Sequence, residues 1–209
     1  MAGAKNTVSK LILASTSPRR LELLQQLGIM PEVIAVDVDE SQLVAEPWQD
    51  YVVRIALKKA RAGVGISTAG VPVLGADTSV IVDDKVLGKP DSCVSAEKML
   101  TLLSARSHQV ATAVVLALPG GEYLQAMSVS QVSFALMPSA FIRSYCASGD
   151  AMDKAGAYAI QGQPAAFIER LEGSYSGVMG LPLYETASLL RQAGVAWYDA
   201  LSDSGASAF

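Results

Sequence analysis

This sequence predicts an α/β fold with a sheet covered on both faces, on three observations. Short apolar runs of strand type alternate with stretches whose apolar residues recur at helical spacing. The chain is 51% hydrophobic and only 17% charged, with a mean hydropathy of +0.32, the composition of strands buried on two sides. No apolar run approaches the roughly 18 residues of a membrane-spanning helix, the longest clean one being 113–118. At 209 residues one domain (1–209) is expected, with its core at about 11–190 and loose ends at 1–10 and 199–209.

The same composition narrows the partners. The start, MAGAKNTVSK, lacks the apolar core of a secretory signal, so a cytoplasmic protein without a membrane partner is expected. A net charge of -4 and a pI near 5.0 offer no general attraction to nucleic acid, so any phosphate site must be a local gathering of cations. Cys93 and Cys146 have no paired spacing for zinc or a disulfide framework and read as reduced, packed thiols.

In order, residues 11–14 (LILA) read as a strand and 18–27 as a helix, joined by Ser15-Thr16-Ser17-Pro18. Ser17 suits the N-cap, where its hydroxyl accepts from a first-turn amide, and Pro18 suits the first helical position, where no N–H is needed. Arg19 and Arg20 then fall where the helix dipole disfavours cations. Either both are solvated, or an anion meets them there, since free amides and two forked guanidiniums make a ready phosphate site.

Residues 32–37 (EVIAVD) read as a second strand, leaving into a loop crowded with Asp37, Asp39, Glu40 and Glu46. That loop is either solvated or a source of oxygen ligands for magnesium. The helix expected over 48–63 has Arg54, Lys58 and Arg61 on its polar face and Val52, Ile55, Ala56, Ala60 and Gly63 on its apolar one. Lys59 projects from the apolar side, where a lysine either snorkels out along its stem or meets a buried anion.

Residues 71–82 (VPVLGADTSVIV) form a strand with one charge, Asp77, in its middle. A carboxylate in such a run is costly unless paired, hydrogen-bonded or bound to metal, and ligands of open α/β sheets sit at the carboxyl ends of strands. Asp77 is therefore the leading catalytic candidate. A hairpin over 80–87, turning at Asp83-Asp84-Lys85, brings Gly88-Lys89-Pro90 back beside Thr78 and Asp77, with the Lys89 ammonium near the Asp77 carboxylate.

A helix over 95–103, capped by Ser95, precedes an antiparallel pair at 109–118 and 123–136 about Pro119-Gly120-Gly121. His108, the only histidine, has no partner at metal-ligand spacing and reads as structural. A helix follows at 138–147. Residues 148–162 read as a loop entering a strand, with Asp153, Lys154, Tyr158 and Gln161 able to read a polar ligand. A strand at 167–172, a turn at 173–176 and a helix at 182–192 close the chain. There is no P-loop, no dinucleotide fingerprint and no serine nucleophile elbow.

The runs ASTSPRRLELL at 14–24, GADTSV at 75–80, LGKP at 87–90, DKAGAYAIQG at 153–162 and VMGLP at 178–182 together resemble the Maf family of nucleoside triphosphate pyrophosphatases, over about 11–190. The resemblance implies a Maf/Ham1-like (ITPase-like) α/β fold: an elongated mixed central sheet, flanking helices and a cleft between two lobes. It implies metal-dependent hydrolysis of a nucleoside triphosphate to the monophosphate and pyrophosphate, with Mg2+ or Mn2+ as the divalent cation, in house-cleaning of nucleotide pools. The DKAGAYAIQG form is similar to the dTTP/UTP branch rather than the 7-methyl-GTP branch, and Ala159 and Gln163-Pro164 depart from the family's more glycine-rich form. By this likeness Asp77 is the catalytic acid/base, and Ser15, Arg20, Lys59 and Lys89 contact phosphate. Arg19, Thr78 and Gln161 bear on substrate choice, and Glu40 joins Asp77 at the metal. Base choice by Gln161 further requires that Tyr158 or Lys154 lock its amide. The partner is a nucleoside triphosphate, and a homodimer is allowed. A different class of function, a nucleotide-binding regulator of division or septum formation with incidental hydrolysis, would use the same cleft.

Overall fold

The computed structural model describes residues 10–67 and 70–195, and within them the β-prone runs pair into one seven-stranded mixed sheet. In chain order the elements are β1 (Ile12–Leu13), α1 (Pro18–Gln26), β2 (Glu32–Val33), α2 (Trp48–Ile66), β3 (Val73–Val82), β4 (Lys85–Leu87), α3 (Cys93–Leu103), β5 (Ser107–Ala117), β6 (Tyr123–Phe134), α4 (Ser139–Ala147), β7 (Ile168–Glu172), α5 (Tyr175–Met179) and α6 (Leu183–Gln192). The strand order is β2-β1-β3-β5-β6-β7, with β4 also on β3. The long strands β3, β5 and β6 are antiparallel neighbours throughout, while β1 runs parallel to both β2 and β3.

The register on β3 places the site. One edge of β3 pairs with β5 from Val73 to Ile81. The other edge pairs with β1 at Val73 and Leu74 and with β4 from Val80 to Val82, and among the described residues no strand covers 75–79 between them. Asp77 and Thr78 lie in this interruption. The chain leaving β1 at Ser15 and the chain leaving β4 at Gly88 both head into it, as the predicted hairpin requires. The hairpin turns at Asp83 and Asp84, whose φ values of 50° and 59° are the left-handed conformation that short acidic residues tolerate.

Alternation along β3 sorts the packing. Val73 and Ile81 face α2 together with Val52, Ile55, Ala56 and Ala60. Gly75, on the same face, is a close-approach glycine: a Cβ there would stand 2.5 Å from both the Ala56 carbonyl oxygen and the Ala60 amide nitrogen. Its absence lets α2 lie against β3 at the height of Asp77. The opposite face carries two separate apolar clusters. One joins Leu74, Ala76, Val114 and Leu116 to α1 and α6; the other joins Val80, Val82, Val110 and Val132 to α3 and α4. Between them the directly paired residues are Thr78, Thr112 and Ser128, a row of hydroxyls across three strands. These are the two lobes, and the interruption in β3 lies at their junction.

Several local expectations need correction. The second strand is Glu32–Val33 rather than 32–37, because β1, its partner, is itself two residues long. The cap of α3 is Ser92, not Ser95; the two form a reciprocal capping box in which Ser95 is the third helical residue. Residues 148–162 enter no strand and instead form a loop with a 3₁₀ turn at Ala155–Ala157. The turn expected at 173–176 becomes the start of α5, whose cap Ser174 accepts from the Gly177 amide. Cys146 is buried as expected, but Cys93 is exposed. Of the ends expected to be loose, 1–9 and 199–209 lie outside the described residues.

Candidate active site

α1 opens as the sequence predicts, with Pro18 in its first turn, but Ser17 makes no side-chain cap. The capping duty moves back to Ser15, whose Oγ accepts from the Ser17 amide at 3.2 Å. The same Oγ accepts from Arg20 Nη1 at 3.1 Å. Arg20 is partly buried and donates from all three nitrogens: besides Nη1, Nε donates to the Gly180 carbonyl at 2.8 Å and Nη2 to Thr78 Oγ1 at 3.3 Å, which leaves one N–H on each terminal nitrogen for a ligand. Burial lowers its pKa and the charge of Arg19 adds to this, while Asp77 and Glu40 oppose it. Arg19 takes the other course and pairs with Asp153 at 3.3 Å. The two arginines are therefore not a solvated pair; each is aimed by a different part of the chain.

Asp77 is 5% exposed. Its Oδ1 accepts from Lys59 Nζ at 2.7 Å, and Ser79 Oγ lies 3.5 Å from Oδ2. Of the two courses open to Lys59, the structure shows the buried anion. Its ammonium also meets Glu40 Oε1 at 2.8 Å, so one cation holds two carboxylates that are distant in sequence. Burial pushes the Glu40 carboxyl up, but the hydrogen bond and charge of Lys59, with Lys89 and Arg20 beyond it, outweigh this and hold it below the usual range. The rest of the acidic loop has other work. Asp39 accepts from the Ser41 amide, and Glu46 forks onto Arg54, which holds its carboxyl down at about 2.

The hairpin delivers Lys89 to the same cleft, but not to Asp77. Among the described residues Lys89 makes no ion pair; the partner of Asp77 is Lys59, because α2 rather than the β4 hairpin passes within reach of the carboxylate. The cleft has a volume of about 350 Å³ and gathers Ser15, Arg19, Arg20, Glu40, Lys59, Asp77, Thr78, Lys89 and Gln161 in its wall, the residues that the family resemblance implies for the site, whereas Asp37, Asp39 and Glu46 of the acidic loop do not line it. Gln161 is exposed at its rim. The locks expected on its amide are both committed elsewhere: Lys154 donates to the Asp150 carbonyl and to Asp153, and the Tyr158 hydroxyl is 2.7 Å from His108 Nε2. Sequence reasoning missed Thr112 and Tyr51. Thr112 is the one polar residue in the run from Val110 to Ala117, which is a usable signal; Tyr51, whose hydroxyl donates to the Glu40 carbonyl, carries none.

His108 is structural, as expected. It is 3% exposed, stacks on Phe134, meets Tyr158 edge-on, and is held by burial at a pKa of about 4 instead of 6.5. A histidine neutral in the folded state and protonated in the unfolded one favours unfolding by acid. Stability from this site should be fully present above pH 6.5 and fall as pH drops toward 4, and His108→Gln should flatten that stretch of a denaturation-versus-pH curve. An unchanged slope would show that His108 is not the titrating group.

A buried carboxylate at a break in one edge of a mixed sheet thus faces a cleft that also holds Arg19 and Arg20 from α1, Lys59 from α2 and Lys89 from the chain leaving β4. The solved structure of a HAM1 protein from Coxiella burnetii matches 88% of this chain and all of that one with a TM-score of 0.53 at 19% identity, a likeness of fold. The family model for Maf-like proteins matches residues 10–193, and the chain belongs to the Maf family. Among curated relatives, the dTTP/UTP pyrophosphatase of Methylobacillus flagellatus is 48% identical over 190 residues, 90% of this chain and 95% of that protein. The nucleoside triphosphate pyrophosphatase of Xylella fastidiosa is 52% identical over 182 residues, 86% and 96% of the two chains. Among the described residues no helix is long and apolar enough to cross a membrane.

Proposed function

We propose that the protein is a nucleoside triphosphate pyrophosphatase of the dTTP/UTP type, a cytoplasmic house-cleaning enzyme built as one Maf-like domain. The observation that carries the reading is the position of Asp77: a buried carboxylate in the gap of β3, held by Lys59 and flanked by Arg20, Lys89 and the first turn of α1. The relatives of nearly full length support the substrate class. The regulator of division is not favoured, since the relatives cited are named for hydrolysis.

Water attacks the α-phosphorus, the bond to the bridging oxygen of the β-phosphate breaks, and the nucleoside monophosphate and pyrophosphate leave. Arg20, Lys89 and Ser15, with the open amides of α1, bind the triphosphate and offset its charge. Asp77 orients the attacking water and takes its proton. Lys59 holds Asp77 and Glu40 at a fixed spacing and adds positive charge beside the phosphates. The donor set fits a divalent cation: two carboxylates share one ammonium through one oxygen each, leaving Asp77 Oδ2 and Glu40 Oε2 as hard ligands, and Mg2+ commonly takes one or two carboxylates plus substrate oxygens. Such an ion, Mg2+ or Mn2+, supplies charge neutralisation at the phosphates.

Gln161 reads the base. Its amide offers a donor and an acceptor together, matching N3–H and an adjacent carbonyl of uracil or thymine; with Tyr158 and Lys154 engaged elsewhere the amide is free to turn over and pair with cytosine as well, so Gln161 contacts the base without by itself separating UTP from CTP. The test is pyrophosphate release across the common triphosphates, with UTP and dTTP expected to lead and a preference for purines refuting the assignment. Gln161→Ala should lower kcat/KM for UTP and CTP to a similar degree, and parental values for both would remove Gln161 from base recognition.

A further inference from the structure

The loop that carries Glu40 into the cleft is not held by its own backbone. Between β2 and α2, residues 35–42 make no backbone–backbone hydrogen bond among the described residues, and all of them are exposed or half-buried. Fixing such a chain costs conformational entropy, so a side chain can be aimed from it only if something outside the loop holds it. α2 does so. Asp39, Glu40 and Ser41 each present their carbonyl to a different side chain of that helix: Lys58 Nζ donates to the first at 3.1 Å, the Tyr51 hydroxyl to the second at 2.9 Å, and Arg54 Nη2 to the third at 3.0 Å. Positions 51, 54 and 58 follow helical spacing and form one stripe, beside which Lys59 takes the Glu40 carboxylate at 2.8 Å.

Of these three bonds only that of Tyr51 reaches Glu40 itself, and its donor is the buried one. Tyr51 is 8% exposed and belongs to the apolar cluster of Trp48, Val52 and Ile55, so its short, stiff side chain holds the hydroxyl in one place. Burial, with the charges of Asp77 and Glu40, pushes the phenol up to about 12, so the hydroxyl keeps the hydrogen that the carbonyl accepts. The Lys58 bond is exposed, and water replaces it at little cost.

We propose that Tyr51 is a positioning residue for the divalent cation site: its hydroxyl fixes the main chain at Glu40, so that the carboxylate meets the Lys59 ammonium beside Asp77 and its second oxygen is available to the cation. The inference rests on the reading that Glu40 is a ligand of that cation. Lys59 cannot set this position alone. Its ammonium is a point charge on a flexible stem, which draws a carboxylate in without deciding where the chain behind it runs.

The experiment measures Mn2+ binding directly, by the electron paramagnetic resonance signal of the free ion, to protein saturated with a UTP analogue that has a methylene in place of the oxygen bridging the α- and β-phosphates. Tyr51→Phe keeps the ring in its cluster and removes only the hydroxyl, so the melting temperature should stay near the parental one. Its Kd for Mn2+ should rise about three- to tenfold, the scale of one lost neutral hydrogen bond. Glu40→Gln should raise Kd further, and the double variant should match Glu40→Gln, because Tyr51 acts through Glu40. Lys58→Met, which frees the neighbouring carbonyl, should bind Mn2+ as the parent does. In turnover, Tyr51→Phe should need more Mg2+ for half-maximal rate, with kcat at saturating Mg2+ within about twofold of the parent. A parental Kd in Tyr51→Phe, a further loss when Tyr51→Phe is added to Glu40→Gln, or an equal rise in Lys58→Met would each overturn the proposal. Glu40→Gln separates the two readings: a raised Kd there with Tyr51→Phe at the parental value overturns the role of Tyr51 alone. A parental Kd in Glu40→Gln overturns the metal role of Glu40 and the proposal with it.

Discussion

Asp77→Asn should lower turnover by roughly 10²- to 10⁴-fold, the usual contribution of a positioned acid or base. The amide keeps the shape of the carboxylate in a site that is 5% exposed, so the packing against β5 and α2 is undisturbed. Its oxygen still accepts from Lys59, and Glu40 still shares that ammonium at 2.8 Å, so the cation is not stranded. What is lost is the charge that takes the proton of water. Substrate binding should change much less than kcat, because Arg20, Lys89 and Ser15 are untouched. Single-turnover pyrophosphate release with purified variant checks this, and near-parental turnover would show that another group does the work of Asp77.

Lys59→Met should damage stability and activity together. Removing one partner of a buried ion pair typically costs about 3–5 kcal/mol, because the remaining charge keeps its desolvation penalty. Here the lower end is expected: the Lys59 and Asp77 side chains are 12% and 8% exposed, but that of Glu40 is 43% exposed and recovers hydration when released. Methionine fills the volume of the stem against α2's neighbours, so the effect isolates the charge. Chemical denaturation measures the stability loss. The accompanying fall in kcat/KM should exceed that of any single phosphate contact, since Asp77 and Glu40 then repel each other across the site. Lys58→Met, one position along the same helix and bonded to the Asp39 carbonyl, is the control that should leave both quantities near the parental values. A Lys59→Met protein as stable and active as the parent would show that the two carboxylates are held apart by other means.

The sequence made legible whatever local chemistry determines. The run from Ile12 to Gln26 is a strand, a hydroxyl-rich turn and a proline-initiated helix, and its arginines are conspicuous because they oppose the helix dipole. Asp77 stands out because a charge in a buried strand must be answered. The hairpin at Asp83-Asp84 foretold that Lys89 would return to the cleft, since β-register follows from turn geometry. Which cation answers Asp77 was not legible. That depends on how α2 lies across β3, set by the close approach at Gly75, and periodicity along one helix leaves a lysine on the apolar side free to snorkel or to pair. The same limit hid the pairing of Arg19 with Asp153 and the commitment of Tyr158 to His108, contacts separated by 134 and 50 residues. Capping fell between these cases: Ser92 and Ser95 are both suitable residues, and only the backbone shows which one precedes the first turn.

The interruption in the edge of β3 also bears on how the reaction ends. A triphosphate bound as proposed is gripped by one lobe through Ser15 and Arg20 and by the other through Lys89 and Gln161, where among the described residues no strand pairs with 75–79 on that edge of β3. The two grips act as linked binding modules, each raising the effective concentration of the substrate at the other. Cleavage severs the link. The monophosphate carries away the base and the pyrophosphate carries away most of the charge, so neither fragment retains the bivalent hold of its parent, and the site discards both products by the same act that makes them.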